Sequence, residues 1–192
     1  MAIVSSLRHT RHWEAIQADN VAEITRRDVI GAGVCLPMVL FCAKPVVPVI
    51  GWNLAIACKR VEAGVGPLLV REELAARIAA GVDHLVPAAV RMLGFITISP
   101  LAAARGALAA VSGYAQAIAA VPDPPGADSW QALDCDFYGF TVAAVDPGGA
   151  RVVVPGLGWA KHPRGGVGHQ RRLMEEQLFD VALRAGLTPG QE

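Results

Sequence analysis

The run from Val29 to Cys58, in which Lys44 is the sole charged residue and Pro37, Pro45 and Pro48 interrupt the apolar pattern, constrains this chain more than any other feature. So much apolar surface has to leave water, into a core, a membrane, a partner or a segment that is later removed. A bilayer-spanning helix needs about 20 consecutive apolar residues, and the prolines leave neither half that long. Val29 to Ala43 has instead the length of a signal-peptide core. Three readings stand side by side: an export signal, a retained membrane-inserted segment, and a buried helical hairpin bent at its prolines.

Length and charge narrow the rest. A chain of 192 residues suits one domain, or one domain with a targeting or anchoring segment. Hydrophobic residues make up 53% and charged ones 18%, below the roughly 25% usual for soluble domains, so the chain is not of the disordered class. The 17 basic and 17 acidic side chains cancel, leaving no overall field for nucleic acid or an anionic bilayer, and a nucleic-acid partner is not expected. Cys35, Cys42, Cys58 and Cys135 form no paired CxxC and no local His/Cys cluster, so no metal site is predicted, and the cofactors are unknown. Were the first apolar run removed on export, Cys58 and Cys135 would remain as one candidate disulfide pair.

The residues just before that run, Thr25-Arg26-Arg27-Asp28-Val29-Ile30, resemble the twin-arginine export signal, in which Ser or Thr, two arginines, any residue and two apolar residues precede a moderately apolar core. The resemblance covers about the first third of the chain. It implies targeting by Arg26 and Arg27, an exported or membrane-associated location with a cytoplasmic one as the alternative, and a redox enzyme as one partner, because that pathway carries folded proteins and often such a companion. Ala55 and Ala57 are the nearest small-residue pair for cleavage, rather far downstream. The acidic Glu14, Asp19 and Glu23 nearly cancel Arg8, Arg11, Arg26 and Arg27, which departs from the usual pattern.

Beyond the run, residues 59–121 read as an Ala-rich helical region. Val70, Leu74, Ile78, Val82 and Leu85 recur at helical spacing, with Asp83 and His84 at the end of the stripe. Pro87 to Val121 carries only Arg91 and Arg105 as charges and reads as two helices divided at Ser99-Pro100, the second small-residue-rich and suited to tight packing. Residues 122–136 form a Pro-, Gly- and Asp-rich linker. In residues 137–192, Phe137 to Val145 and Ala150 to Val154 predict a β-hairpin across Asp146-Pro147-Gly148-Gly149, and Gln170 to Ala185 a final helix capped by Gly186. With 1–58 as the targeting or membrane-associated segment, the expected fold is α+β and mainly helical: a helical hairpin or bundle with a C-terminal β-hairpin and closing helix. The segment from Thr25 to Cys58 is expected to contribute little to the core of the C-terminal part.

One stretch has the composition of a site. In Arg164-Gly165-Gly166-Val167-Gly168-His169-Gln170-Arg171-Arg172, glycines let successive N–H groups turn inward, a helix start adds its positive end, and the arginines supply charge for a phosphate or carboxylate. The anion site would comprise Arg164, Gly165, Gly166, Gly168, His169, Arg171 and Arg172. The competing reading is a loop whose arginines pair with Glu175 and Glu176. No P-loop, dinucleotide fingerprint, nucleophile elbow or HExxH names a reaction class, and the catalytic residues are unknown. His9 with His12, and His162 with Asp136, carry the right types for metal or acid–base work without spacing that unites them. The leading expectation is a noncatalytic accessory or small subunit that binds a larger protein, or a second copy, through its Ala-rich helices; the alternative is an enzyme or small-ligand protein with the anion site.

Overall fold

A computed structural model describes residues 4–6, 12–81, 85–122, 124–126, 128–156 and 168–190, with side chains from residue 19 onward. Its centre is an eight-stranded mixed sheet, which overturns the mainly helical expectation. In chain order the strands are β1 (Val4–Ser6), β2 (Val34–Cys35), β3 (Val39–Phe41), β4 (Lys44–Trp52), β5 (Val90–Thr97), β6 (Gln116–Val121), β7 (Thr141–Asp146) and β8 (Gly149–Val154). They are arranged β1-β3-β4-β5-β6-β7-β8, with β2 alongside β4. The helices are α1 (His12–Thr25), continued by a π-helical turn (Arg26–Ile30), α2 (Leu54–Glu62), α3 (Arg71–Ala79), α4 (Leu101–Val111), α5 (Trp130–Phe137) and α6 (His169–Arg184).

The apolar run from Val29 to Cys58 is where sequence and structure differ most. It forms neither a helical hairpin nor a separable segment, but β2, β3, β4 and the start of α2. Strand β4 lies inside the sheet, pairing β3 through Lys44–Val46, β2 through Val49–Ile50 and β5 along its other edge. Val46, Val47, Val49 and Ile50 are buried, so the segment from Thr25 to Cys58 supplies core rather than sparing it. A proline within a central strand normally argues against that assignment. Here Pro48, which lacks an N–H, falls in the gap between the β3 and β2 ladders, and its carbonyl accepts from Leu36 N at 2.9 Å.

The second apolar tract is corrected likewise. Its first half is β5, not a helix, and its end, Gln116–Val121, is β6; only Leu101–Val111 between them is helical. Strands β5, β6 and β7 run parallel, joined by crossovers through α4 and α5. Parallel strands covered on both faces read as continuous apolar runs, which periodicity cannot separate from a buried helix. The 122–136 linker also contains most of α5, started by Ser129, whose Oγ accepts from Ala132 N. Strands from residues 1–58, 59–121 and 137–192 therefore belong to one sheet, and those boundaries do not mark independent units. The expected β-hairpin is the antiparallel pair β7–β8, beginning at Thr141 rather than Phe137, as one edge of that sheet.

Each face of the sheet carries its own core. On one, Val46, Ile50, Met92 and Phe95 pack with Ala104 and Leu108 of α4, Ala132 of α5 and Met174, Leu178 and Ala182 of α6. On the other, Val47, Val49, Ile96, Ile118 and Ala143 meet Ala22 of α1 and Val29 and Ile30 of the π turn. Gly94 sits close beneath that turn: a Cβ there would stand 2.8 Å from Ile30 Cδ1 and push that side chain aside. The end of α6 follows its sequence signal: Gly186 has φ +72°, and Leu187 N donates to Ala182 O at 3.0 Å.

Candidate functional site

Helix α6 has two buried stripes of opposite character. Met174, Leu178 and Ala182 face the sheet, whereas Arg172, Glu175, Glu176 and Phe179, spaced three and four apart, lie on a second face that is also removed from water. Glu176 is 1% exposed and receives Arg60 of α2 as a two-pronged pair, Nη1 at 2.9 Å and Nη2 at 2.8 Å. Arg172 Nη2 donates to the same carboxylate at 2.5 Å, and Leu68 N at 2.9 Å. The two arginines also hold backbone: Arg60 Nη2 donates to Gly66 O at 2.7 Å and Arg172 Nη2 to Val86 O at 2.6 Å. The Arg60 guanidinium stacks 4.7 Å from the centre of the Phe179 ring, which meets Trp52 edge-on. Burial pushes Glu175 above the usual carboxylate range despite Arg171 and Arg172 nearby, and lowers Arg172.

This geometry locates the residues proposed for anion binding. Arg164, Gly165 and Gly166 lie outside the described residues. Gly168 precedes α6 and His169 begins it, both exposed. Arg171 bonds Glu175 at 3.3 Å and Tyr114 O at 3.1 Å, while Arg172 points inward to Glu176. Four of the seven are therefore described, and the two arginines among them are engaged by Glu175 and Glu176, the competing reading of this stretch. Arg60 was not anticipated as a partner of Glu176, since nothing in the sequence pairs positions 116 apart.

The targeting pair is also engaged. Arg26 bonds Glu23, and Arg27 bonds Asp28 at 2.7 Å. Asp83, His84, His9 and His162 lie outside the described residues. Among the described residues no cluster of three or more His, Cys, Asp or Glu could hold a metal, and no helix is long and apolar enough to cross a membrane. All four cysteines are free, with Cys58 exposed on α2 and Cys135 buried on α5. A cleft of ≈ 400 Å³ lies between α1, the β2 region and the turn after α6, with Asp19, Glu23 and Cys35 on its walls. Burial, with Glu23 adding to it, drives the Cys35 thiol up to about 12, so it is no nucleophile at neutral pH.

The feature with least internal explanation is α5, which is built inside out. Its buried side consists of Ala132 and Cys135, while Trp130, Leu133 and Phe137, at i, i+3 and i+7, point to solvent. Trp130 is 78% exposed and Phe137 81%, and Tyr138 extends the patch, with Arg105 of α4 lying 5.1 Å over its ring. Arg105 also bonds Tyr138 Oη at 3.2 Å and pairs with Asp134 at 3.3 Å. Two nearly bare aromatics expose roughly 150–250 Å² each, approaching the largest apolar patches seen on monomers. Comparison with known proteins found no matching family model, no matching curated protein and no matching solved structure.

Proposed function

We propose that this protein is a noncatalytic accessory subunit that docks onto a larger protein through the face formed by α5 and the neighbouring part of α4. The observation that carries this is the outward stripe Trp130, Leu133 and Phe137, since a helix that buries alanine and cysteine while showing water its large side chains has a second surface to fill. The expected docking through Ala-rich helices is thereby refined: α4 supplies a small-residue border at Ala102 and Ala109, and α5 supplies the anchors. With Asp134 committed to Arg105, exposed Asp128 and Asp136 leave the face acidic, so the partner surface is apolar flanked by lysine or arginine. A second copy of this chain would set acid against acid.

Purification of the tagged full chain from its own cells, beside Trp130→Ser with Phe137→Ser, tests this. The partner is expected to co-purify in stoichiometric amount with the parent and to be lost from the variant at unchanged melting temperature. A chain that runs alone, or as a dimer the double substitution leaves intact, would reject it. The export address read from Arg26 and Arg27 enters the proposal with the segment retained, because a cut at Ala43 or Ala57 would remove β2 and β3, or β4 as well.

A further inference from the structure

The cleft of ≈ 400 Å³ between α1, the β2 region and the turn after α6 has the size of a small-molecule site. Its walls are mainly apolar. Ala22, Leu36 and Val47 are its buried side, and Pro37 and the half-buried Leu187 reach toward water.

The charge on those walls has one sign. Asp19 and Glu23, four apart and so on one face of α1, present carboxylates, and among the described residues no lysine, arginine or histidine lines the cleft. Arg26, outside the lining, compensates Glu23 by hydrogen bonds to both carboxylate oxygens. Asp19 is left without an ion-pair partner among the described residues, so the cleft carries net negative charge. Ala185 adds the end of α6, where a helix presents partial negative charge. Cys35, on the same walls, responds to this field: burial is the first cause of its raised thiol, and the charges of Glu23 and Asp19 add to it.

We propose that this cleft binds a small organic ammonium ion, its charged nitrogen at Asp19 and Glu23 and its apolar body against Pro37 and Leu187. Two carboxylates, one of them shared with Arg26, are too few ligands for a metal ion, and the apolar walls suit a carbon skeleton rather than a hydrated cation. The site shares no residue with the α5 face and does not depend on docking there.

Benzylamine, a cation at pH 7, tests the site in an NMR titration of the full chain, with benzyl alcohol as its neutral counterpart. Benzylamine is expected to shift the amide signals of Asp19 to Glu23, Cys35, Leu36 and Ala185 to Leu187 saturably, and to bind more tightly than the alcohol. Asp19→Asn keeps the shape and removes the charge, at an exposed position, so the melting temperature should hold. It should weaken benzylamine roughly two- to fivefold, the scale of one exposed ion pair, and leave benzyl alcohol unchanged. Ala185→Trp, which fills the cleft from the exposed end of α6, should abolish binding of both. Absence of saturable shifts, shifts centred elsewhere, equal affinity for amine and alcohol, or indifference to either substitution would each reject the site.

Discussion

Asp28 accepts the backbone N–H of Ala150 at 2.8 Å, joining the π turn after α1 to the start of the edge strand β8 across 122 positions of sequence. Its carboxylate also takes Arg27 Nε at 2.7 Å. The residue that would be the variable position of an export motif thus helps to close the sheet. The Arg27 hydrogen bond first, and then that of Ala150, hold the Asp28 carboxyl down at about 2.

A lowered carboxyl stabilises the fold above its unfolded-state value, near 3.9, and that contribution disappears as pH falls through about 2. Asp28→Ala is therefore expected to melt below the parent at pH 7. The gap should narrow between pH 4 and pH 2. Thermal melts across that range check it, and a gap constant with pH would show that the hydrogen bond is not responsible.

Glu176 is the shared acceptor of two buried guanidiniums. Removing one partner of a buried ionic group leaves charge without compensation and typically costs about 3–5 kcal/mol. Glu176→Ala should lose stability on that scale in urea unfolding. Replacing Arg60, Arg172 and Glu176 together by Met, Met and Leu should cost far less, because no orphaned charge remains. A small effect of Glu176→Ala would mean that water reaches the cluster.

The β3–β4 hairpin turns on Cys42 and Ala43 with φ of 48° and 62°, a left-handed conformation that L side chains other than Asn and Asp rarely adopt. Asn-Gly is the favoured pair for a two-residue turn of this hand. Replacing Cys42-Ala43 by Asn-Gly should raise stability by roughly 1–2 kcal/mol, read from the urea midpoint at unchanged slope.

The cysteines should separate kinetically. Exposed Cys42 and Cys58 are expected to react readily with a thiol reagent at pH 8, while Cys35, with its thiol up to about 12, and buried Cys135 stay protected until the fold opens. Mass mapping after a short alkylation pulse identifies the order. Early modification of Cys35 would show that its half-buried thiol ionises more readily than its place beside Glu23 implies.

A fragment of residues 59–192 should fail to melt cooperatively. It lacks β4, which pairs with β5 along Val47–Trp52 and brings Val46, Val47, Val49 and Ile50 to the two cores. A fragment that kept a sharp transition and dispersed NMR signals would show that the sheet can begin at β5.

Where local chemistry decides conformation, the sequence was legible. Asp146-Pro147-Gly148-Gly149 between β-branched runs placed the β7–β8 pair, and Gly186 with Leu187 placed the end of α6. The pairing of Arg171 and Arg172 with Glu175 and Glu176 was readable too, because i, i+4 neighbours meet on any helix. Val29–Cys58 and Pro87–Val121 were misread because apolar runs buried on both faces lose the two-residue alternation that marks a strand, and prolines in the first run spoke against one. The outward stripe of α5 was missed for a related reason. Trp130, Leu133 and Phe137 carry helical spacing, but they fell partly within a stretch punctuated as a linker.

By itself, the sequence determined that much apolar surface must be hidden, that its basic and acidic side chains cancel, and where the last hairpin and helix stand. Each rests on composition or on contacts within a few residues. Tertiary structure alone decided that the apolar runs become strands, that Arg60 and Arg172 share Glu176, and that α5 turns its aromatics to solvent. Those outcomes depend on which surfaces meet across a hundred residues or more, and a carboxylate buried between two guanidiniums exists only once the sheet has brought α2 and α6 together.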